Sequence, residues 1–477
     1  MSTPLSFYWH DYETFGANPA YDRPCQFAGL RTDANLNQIG DPLVVFCKPP
    51  VDYLPSPEAC LITGITPQLA RDRGMIEADF IARILQELAQ PGTCGVGYNS
   101  LRFDDEVTRF TLYRNFRDPY EREWKNGNSR WDLIDVMRMA RALRPEGLEW
   151  PDYDDGTPSF RLEDLSRANG IEHSNAHDAL ADVYATLALA RRLRDKHQKL
   201  FDYALKAREK EWVRRQFNLM ESSPVLHFAS TYASENAKAA VLIPVALPRS
   251  NKNAVICCNL LLDPEPLAKL SAQELRKYLF MRRADRTDDM PVVPLVQIQV
   301  NRCPIIAPIG MLADGVDQRL NIDLKRVRER YEQVRAIPGL NEKLQSLFAY
   351  EGKPSRDPDS ALYGGFIPDN DKLLMEEVVA APPDELATMN LRFQDPRLPE
   401  LLFRYRARNF PDSLDNDEQV QWQQHIAERV NDPDVGLAAY RSRIRALKSE
   451  RVNDPAAQEI LTQLDAYGDE YSVYESA

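Results

Sequence analysis

Apolar residues fall in two rhythms along this chain, and the change of rhythm divides it. Over the first two hundred positions, short apolar or aromatic runs alternate with stretches of helical spacing. Residues 7–12, rich in aromatics, read as a strand, and 26–31 and 42–48 read as two more with turn residues between them. Phe80, Ile81, Ile84, Leu85 and Leu88 recur on one helix face. A short apolar strand is expected at 94–98, helices at 107–113 and 133–143, and the clearest helix at 179–193, rich in alanine and leucine and running on toward residue 205. This alternation predicts an α/β domain with a mixed sheet. After about residue 200 the texture turns β-rich, at 225–228, 239–246, 254–262 and 292–300, interrupted by a helix at 271–283. That pattern predicts a small, mostly antiparallel β domain. A Gly/Pro/Asp/Ser stretch at 352–365 reads as a linker. Beyond it helical spacing prevails, at 372–379, 399–408, 417–430, 436–450 and 456–467. The expected divisions are 1–198, 199–350, a linker at 351–366, and 367–477.

Composition narrows this picture. A chain of 477 residues is too long for one ordinary core. Its 43% apolar and 27% charged residues give the balance of a soluble globular protein. No apolar run reaches the length of a membrane span, and the first residues lack the layout of a signal peptide. The seven cysteines are odd in number and include no C-x-x-C pair. This argues against a zinc site or a disulfide framework and for a reducing cytoplasm. The net charge of −13 argues against indiscriminate nucleic-acid binding. Basic runs at 276–286, 325–335 and 404–408 could still gather on one face, although each reads equally as a solvated helix face.

Three short patterns could carry chemistry. Asp11 and Glu13, two apart on a strand, share a face. Such a pair repels unless a cation lies between them, and magnesium prefers oxygen ligands. The same spacing recurs at Asp263 and Glu265, where the intervening proline favours a surface turn. The first copy stands on an aromatic strand that should be buried, where carboxylates need a reason. In the second pattern an apolar strand ends and Asp104 stands where a helix begins, either as an N-cap or as a third carboxylate at the same sheet edge. In the third, His177 and Asp182 lie five apart, with Asp178 a candidate cap between them. They converge if His177 lies in the loop before the helix, and Asp182 then sits where the helix dipole favours an anion.

Taken together, Asp11-x-Glu13, Asn99-x3-Phe103-Asp104 and His177-x4-Asp182 stand in the order and spacing of the DEDDh exonucleases, which this chain resembles. HDYETFG (10–16), ITGITP (62–67), RFDDEVTR (102–109), NSRWDL (128–133), ANGIEHSNAHDALADVYAT (168–186) and YRARNFP (405–411) look like bacterial exonuclease I, and they span nearly the whole chain. The resemblance implies an α/β RNase H-like exonuclease domain, an SH3-like β domain and a C-terminal all-helical domain, together forming a C-shaped clamp on single-stranded DNA. It implies 3′→5′ hydrolysis of single-stranded DNA to 5′-mononucleotides, serving DNA repair and recombination. By the same resemblance Asp11, Glu13, Asp104 and Asp182 would hold two Mg²⁺ ions, for which Mn²⁺ can substitute, and His177 would be the general base. Phe103, Arg109, Arg130, Arg404, Tyr405, Arg406 and Arg408 are the DNA-contact candidates. Arg144, Tyr203 and Arg335 are the candidates for docking the acidic C-terminal tail of single-stranded-DNA-binding protein, with Ser223 and Pro308 standing in place of other residues of that site. A monomer is expected. The competing readings are a DEDDh nuclease trimming RNA 3′ ends and a catalytically inactive adaptor.

Overall fold

The structure is a computed structural model and describes residues 5–172, 178–348, 355 and 357–475. The chain forms two compact units. One comprises Met1–Ser129, Ser174–Tyr184 and Lys353–Ala477, and the other Arg130–His173 and Ala185–Gly352.

The first unit is built on a mixed sheet. Strands β1 (Ser6–Thr14), β2 (Pro24–Thr32) and β3 (Gln38–Phe46) form an antiparallel meander, and β4 (Thr93–Gly97) joins β1 in parallel, so that the strands lying wholly in this unit follow the order β3-β2-β1-β4. Tyr8, Tyr12 and Phe27 from the sheet meet Phe80, Ile81 and Ile84 of the Glu77–Leu88 helix in one apolar cluster. That helix is the one whose apolar spacing is plainest in the sequence. Two short helices, Pro57–Thr63 and Pro67–Arg73, were not expected. Their signal is present, since Ser56 and Thr66 are side-chain N-caps, each followed by proline at the first helical position.

The C-terminal helices Leu398–Asn409, Asn416–Val430, Leu437–Glu450 and Pro455–Asp469 belong to the same unit. Their Phe403, Trp422, Tyr440, Leu461 and Tyr467 share a core with Phe15, Cys25, Tyr53 and Cys60. The described part of the expected linker is more structured than its composition indicates. It makes two 3-10 turns, Pro358–Ser360 and Leu362–Gly364, before the helix Asp369–Ala380.

In the second unit β5 (Ser129–Asp132) leads into the helix Leu133–Leu143, which Asp132 caps. An antiparallel sheet follows, in the order β10-β6-β7-β8-β9, from β6 (Val225–Phe228), β7 (Ala239–Ala246), β8 (Ala254–Asn259), β9 (Leu295–Gln299) and β10 (Ile306–Pro308). The Leu133–Leu143 helix packs on β6 and β7. No described helix is long and apolar enough to cross a membrane.

Candidate active site

Strand β1 delivers two carboxylates. Asp11 and Glu13 lie on one face by strand alternation, opposite Ala28 and Gln26 of β2. β4 accompanies β1 only as far as Trp9, which pairs with Val96. The following stretch of β1 therefore has an edge that other groups can reach. The backbone N–H of Tyr12, between the two acids, donates to Asp104 Oδ1 at 3.0 Å. The β1–β2 register shifts between Glu13 and Thr14, so the regular ladder ends beside the carboxylates.

Asp104 is the first residue of the helix Asp104–Arg114, and it is buried. The cap position belongs to Phe103, which makes no side-chain capping bond. Of the two readings the sequence allowed, the geometry therefore disfavours the N-cap: the Asp104 carboxylate turns to β1.

Asp182 lies in the first turn of the helix Ala179–Leu205. Asp178 caps that turn, its Oδ1 accepting from the N–H groups of Leu180 and Ala181, each at 3.1 Å. The N–H of Ala179 reaches Gln26 Oε1 at 3.4 Å. Gln26 is also the cross-strand neighbour of Glu13, so one glutamine ties the helix start to the carboxylate strand. Sequence reasoning missed it, because nothing local marks a strand glutamine as the anchor of a helix about 150 residues away.

Asp11, Glu13 and Asp182 each offer a carboxylate oxygen, and these oxygens lie within 4.8 Å of one another. Burial, reinforced by Asp182, Asp104 and Asp178, pushes the Glu13 carboxyl up to about 9. Burial, with Asp104, Glu13 and Asp182, also holds Asp11 well above the usual carboxylate range. A cation removes both penalties. The all-oxygen donor set, part buried and mutually repulsive, fits a hard divalent ion.

His177 lies outside the described residues. His10 points to the other side of the sheet, its ring 6.0 Å from Phe27 and 6.5 Å from Tyr12. Burial lowers its pKa to about 4.

The arginines expected at DNA are held by ion pairs within the protein. Arg408 forks onto Asp52 (Nε to Oδ1 3.0 Å, Nη2 to Oδ2 2.7 Å) and onto Asp359 (2.8 and 2.6 Å). Arg404 binds Glu400, Asp357 and Asp359 at 2.9, 2.6 and 3.0 Å. Arg406 grips Glu418 through two bonds, at 2.6 and 2.8 Å. Arg109 is buried between Glu106 and Glu123, at 2.8 and 2.7 Å. Tyr405 is buried too, its ring tilted against Phe116 at 5.5 Å and edge-on to Phe410 at 5.6 Å. Phe103 packs on the Tyr8–Tyr12–Phe27 cluster. Arg130, in the second unit, is buried and donates to the Asn301 carbonyl at 3.3 Å.

The three tail-docking candidates all lie in the second unit. Arg144 and Arg335 are exposed, and Arg335 stacks over and donates to Tyr331. Tyr203 is half-buried against Trp212.

Comparison with known proteins covers the chain almost end to end. Family models match in three consecutive blocks: Exonuclease over residues 8–190, Exonuclease I SH3-like domain over 208–350, and Exonuclease I C-terminal domain over 356–471. Exodeoxyribonuclease I of Escherichia coli (strain K12) is 44% identical over 98% of both chains. The zinc-bound form of the E. coli exonuclease I complex with single-stranded DNA superposes with a TM-score of 0.94 at 43% identity, over 98% of this chain and all of that one. A structure of SSB/exonuclease I with an inhibitor superposes with a TM-score of 0.92 at 42% identity, again over 98% and 100%.

Proposed function

Because the chain belongs to the exonuclease I family, we propose that it hydrolyses single-stranded DNA from the 3′ end to 5′-mononucleotides, in DNA repair and recombination. The observation that carries the reading is the convergence of Asp11, Glu13 and Asp182, with Asp104 fixed beside them on the open edge of β1. These four side chains would hold two Mg²⁺ ions, with Mn²⁺ able to substitute. When bound, the ions supply Lewis acidity, lowering the pKa of water and offsetting charge on the phosphate. The protein's own part is to aim the ligands. Asp178 and Gln26 fix the helix that carries Asp182, and the Tyr12 N–H orients Asp104. By its family position His177 accepts the proton of the attacking water. The structures of relatives with single-stranded DNA and with SSB support those two partners, and the acidic tail of single-stranded-DNA-binding protein would dock at Arg144, Tyr203 and Arg335. Seven buried free cysteines accord with a reducing cytoplasm, and the chain acts as a monomer.

The test uses a DNA oligonucleotide labelled at its 5′ end, with Mg²⁺ and then with EDTA. Metal-dependent shortening from the unlabelled end, with release of mononucleotides, is expected. Trimming of the matching RNA alone would overturn the substrate, and cleavage of neither would overturn the enzyme.

A further inference from the structure

Resting on the metal-dependent reading above, we propose that the hydroxyls of Tyr12 and Thr108 are positioning groups, which hold Asp104 against β1 so that its carboxylate faces the Asp11–Glu13–Asp182 cluster.

Tyr12 stands between the two strand carboxylates, so its side chain leaves from the opposite face. There it is buried, its ring 4.8 Å from Phe27 and 6.3 Å from Phe80. This packing brings the phenol to the Asp104–Arg114 helix, where Thr108 lies one turn beyond Asp104 and is wholly buried. Thr108 Oγ1 donates to the Asp104 carbonyl at 2.8 Å and shares a hydrogen bond with Tyr12 OH at 3.1 Å. The main chain of the same tyrosine holds Asp104 Oδ1. One strand residue therefore grips the helix start twice, directly at the ligand side chain and, through Thr108, at the backbone behind it. A single grip lets the helix pivot about Asp104, whereas two fix the direction of the carboxylate. A threonine bonded to the carbonyl four residues back does little for a helix by itself, and a buried phenol needs a partner. Groups behind a ligand that set its orientation govern metal affinity.

The variants are Tyr12→Phe, Thr108→Val, Thr108→Ser and the double Tyr12→Phe/Thr108→Val, made in the full chain. Tyr8→Phe is the comparison, because the buried Tyr8 hydroxyl lies on the same strand face with no hydrogen-bond partner among the described residues. Mn²⁺ binding is measured by calorimetry without DNA, melting temperature without metal, and the Mg²⁺ dependence of DNA hydrolysis. Tyr12→Phe and Thr108→Val should bind Mn²⁺ about tenfold more weakly, and saturating Mg²⁺ should restore their rate. Thr108→Ser and Tyr8→Phe should bind as wild type does. The double variant leaves neither hydroxyl orphaned, so its melting temperature should recover toward wild type while its metal affinity stays low. Single variants that bind Mn²⁺ normally, or a double variant that regains affinity together with stability, would show that the hydroxyls serve packing alone and overturn the proposal. A wild-type chain that binds no Mn²⁺ is a different result, and it overturns the metal reading itself.

Discussion

Single side chains already show a conflict between stability and chemistry. Asp11 and Glu13 occupy sites where burial and neighbouring carboxylates oppose their charge. Replacing Asp11 by asparagine relieves that repulsion. Asp11→Asn should therefore abolish Mg²⁺-dependent hydrolysis, retain single-strand binding in EDTA, and melt roughly 2 °C higher than wild type without metal. Calorimetry with and without Mg²⁺ checks this, and turnover near wild type would remove Asp11 from the ligand set. Arg406 makes the opposite case. Its guanidinium grips Glu418, so Arg406→Gln should lower the melting temperature and leave the salt dependence of DNA binding unchanged. A slope flattened by about one unit would return it to the phosphate contacts. The acids were legible because each obeys a local rule: strand alternation for Asp11 and Glu13, a helix start for Asp104 and Asp182. The ion-pair partners of the arginines in the YRARNFP segment were not legible, because charge on a helix says nothing of the partner it faces. Asp52 lies 356 positions from Arg408.

Among elements, the stretch expected to be a loose linker shows most clearly what composition hides. Asp357 and Asp359 join its first turn to Arg404 and Arg408 of the Leu398–Asn409 helix, and Tyr363 donates to Glu106 while its ring meets Phe110 edge-on at 5.7 Å. Proline and glycine mark a break in regular structure, but the aspartates and the tyrosine among them decide whether the break is fastened. Asp359→Asn leaves buried guanidinium groups underpaired and should cost about 3–5 kcal/mol in urea unfolding. A loss under about 1 kcal/mol would mean water had replaced the pair. Burial alone would raise the carboxyls of Asp359 and Asp52, but Arg408 overrides it and holds both well below the usual range. Protons then bind the unfolded chain more readily than the folded one. The stabilisation is complete above about pH 5, and it falls as the pH drops below the unfolded value near 4. Urea midpoints taken between pH 7 and 3 should decline over that lower range, and a flat profile would contradict the assignment.

At the scale of the whole molecule, composition divides the chain into three successive segments, while contacts gather it into two units. The difference lies in the core that Phe15, Tyr53 and Cys60 share with Trp422, Tyr440 and Tyr467. Apolar periodicity identifies the buried face of each helix but not what covers it, so the fold class could be read in advance and this partnership could not. A chain ending near residue 350 would expose the early half of that core. It should bind a hydrophobic dye and sediment as aggregates, and a soluble, active fragment would refute the shared core.

That core also sets a schedule for synthesis. Phe15, Tyr53 and Cys60 leave the ribosome early, but the helices that cover them follow only after the whole second unit has been translated, an interval on the order of tens of seconds. A nascent chain, or one abandoned partway, therefore carries that apolar surface uncovered, open to chaperones and to other unfinished chains.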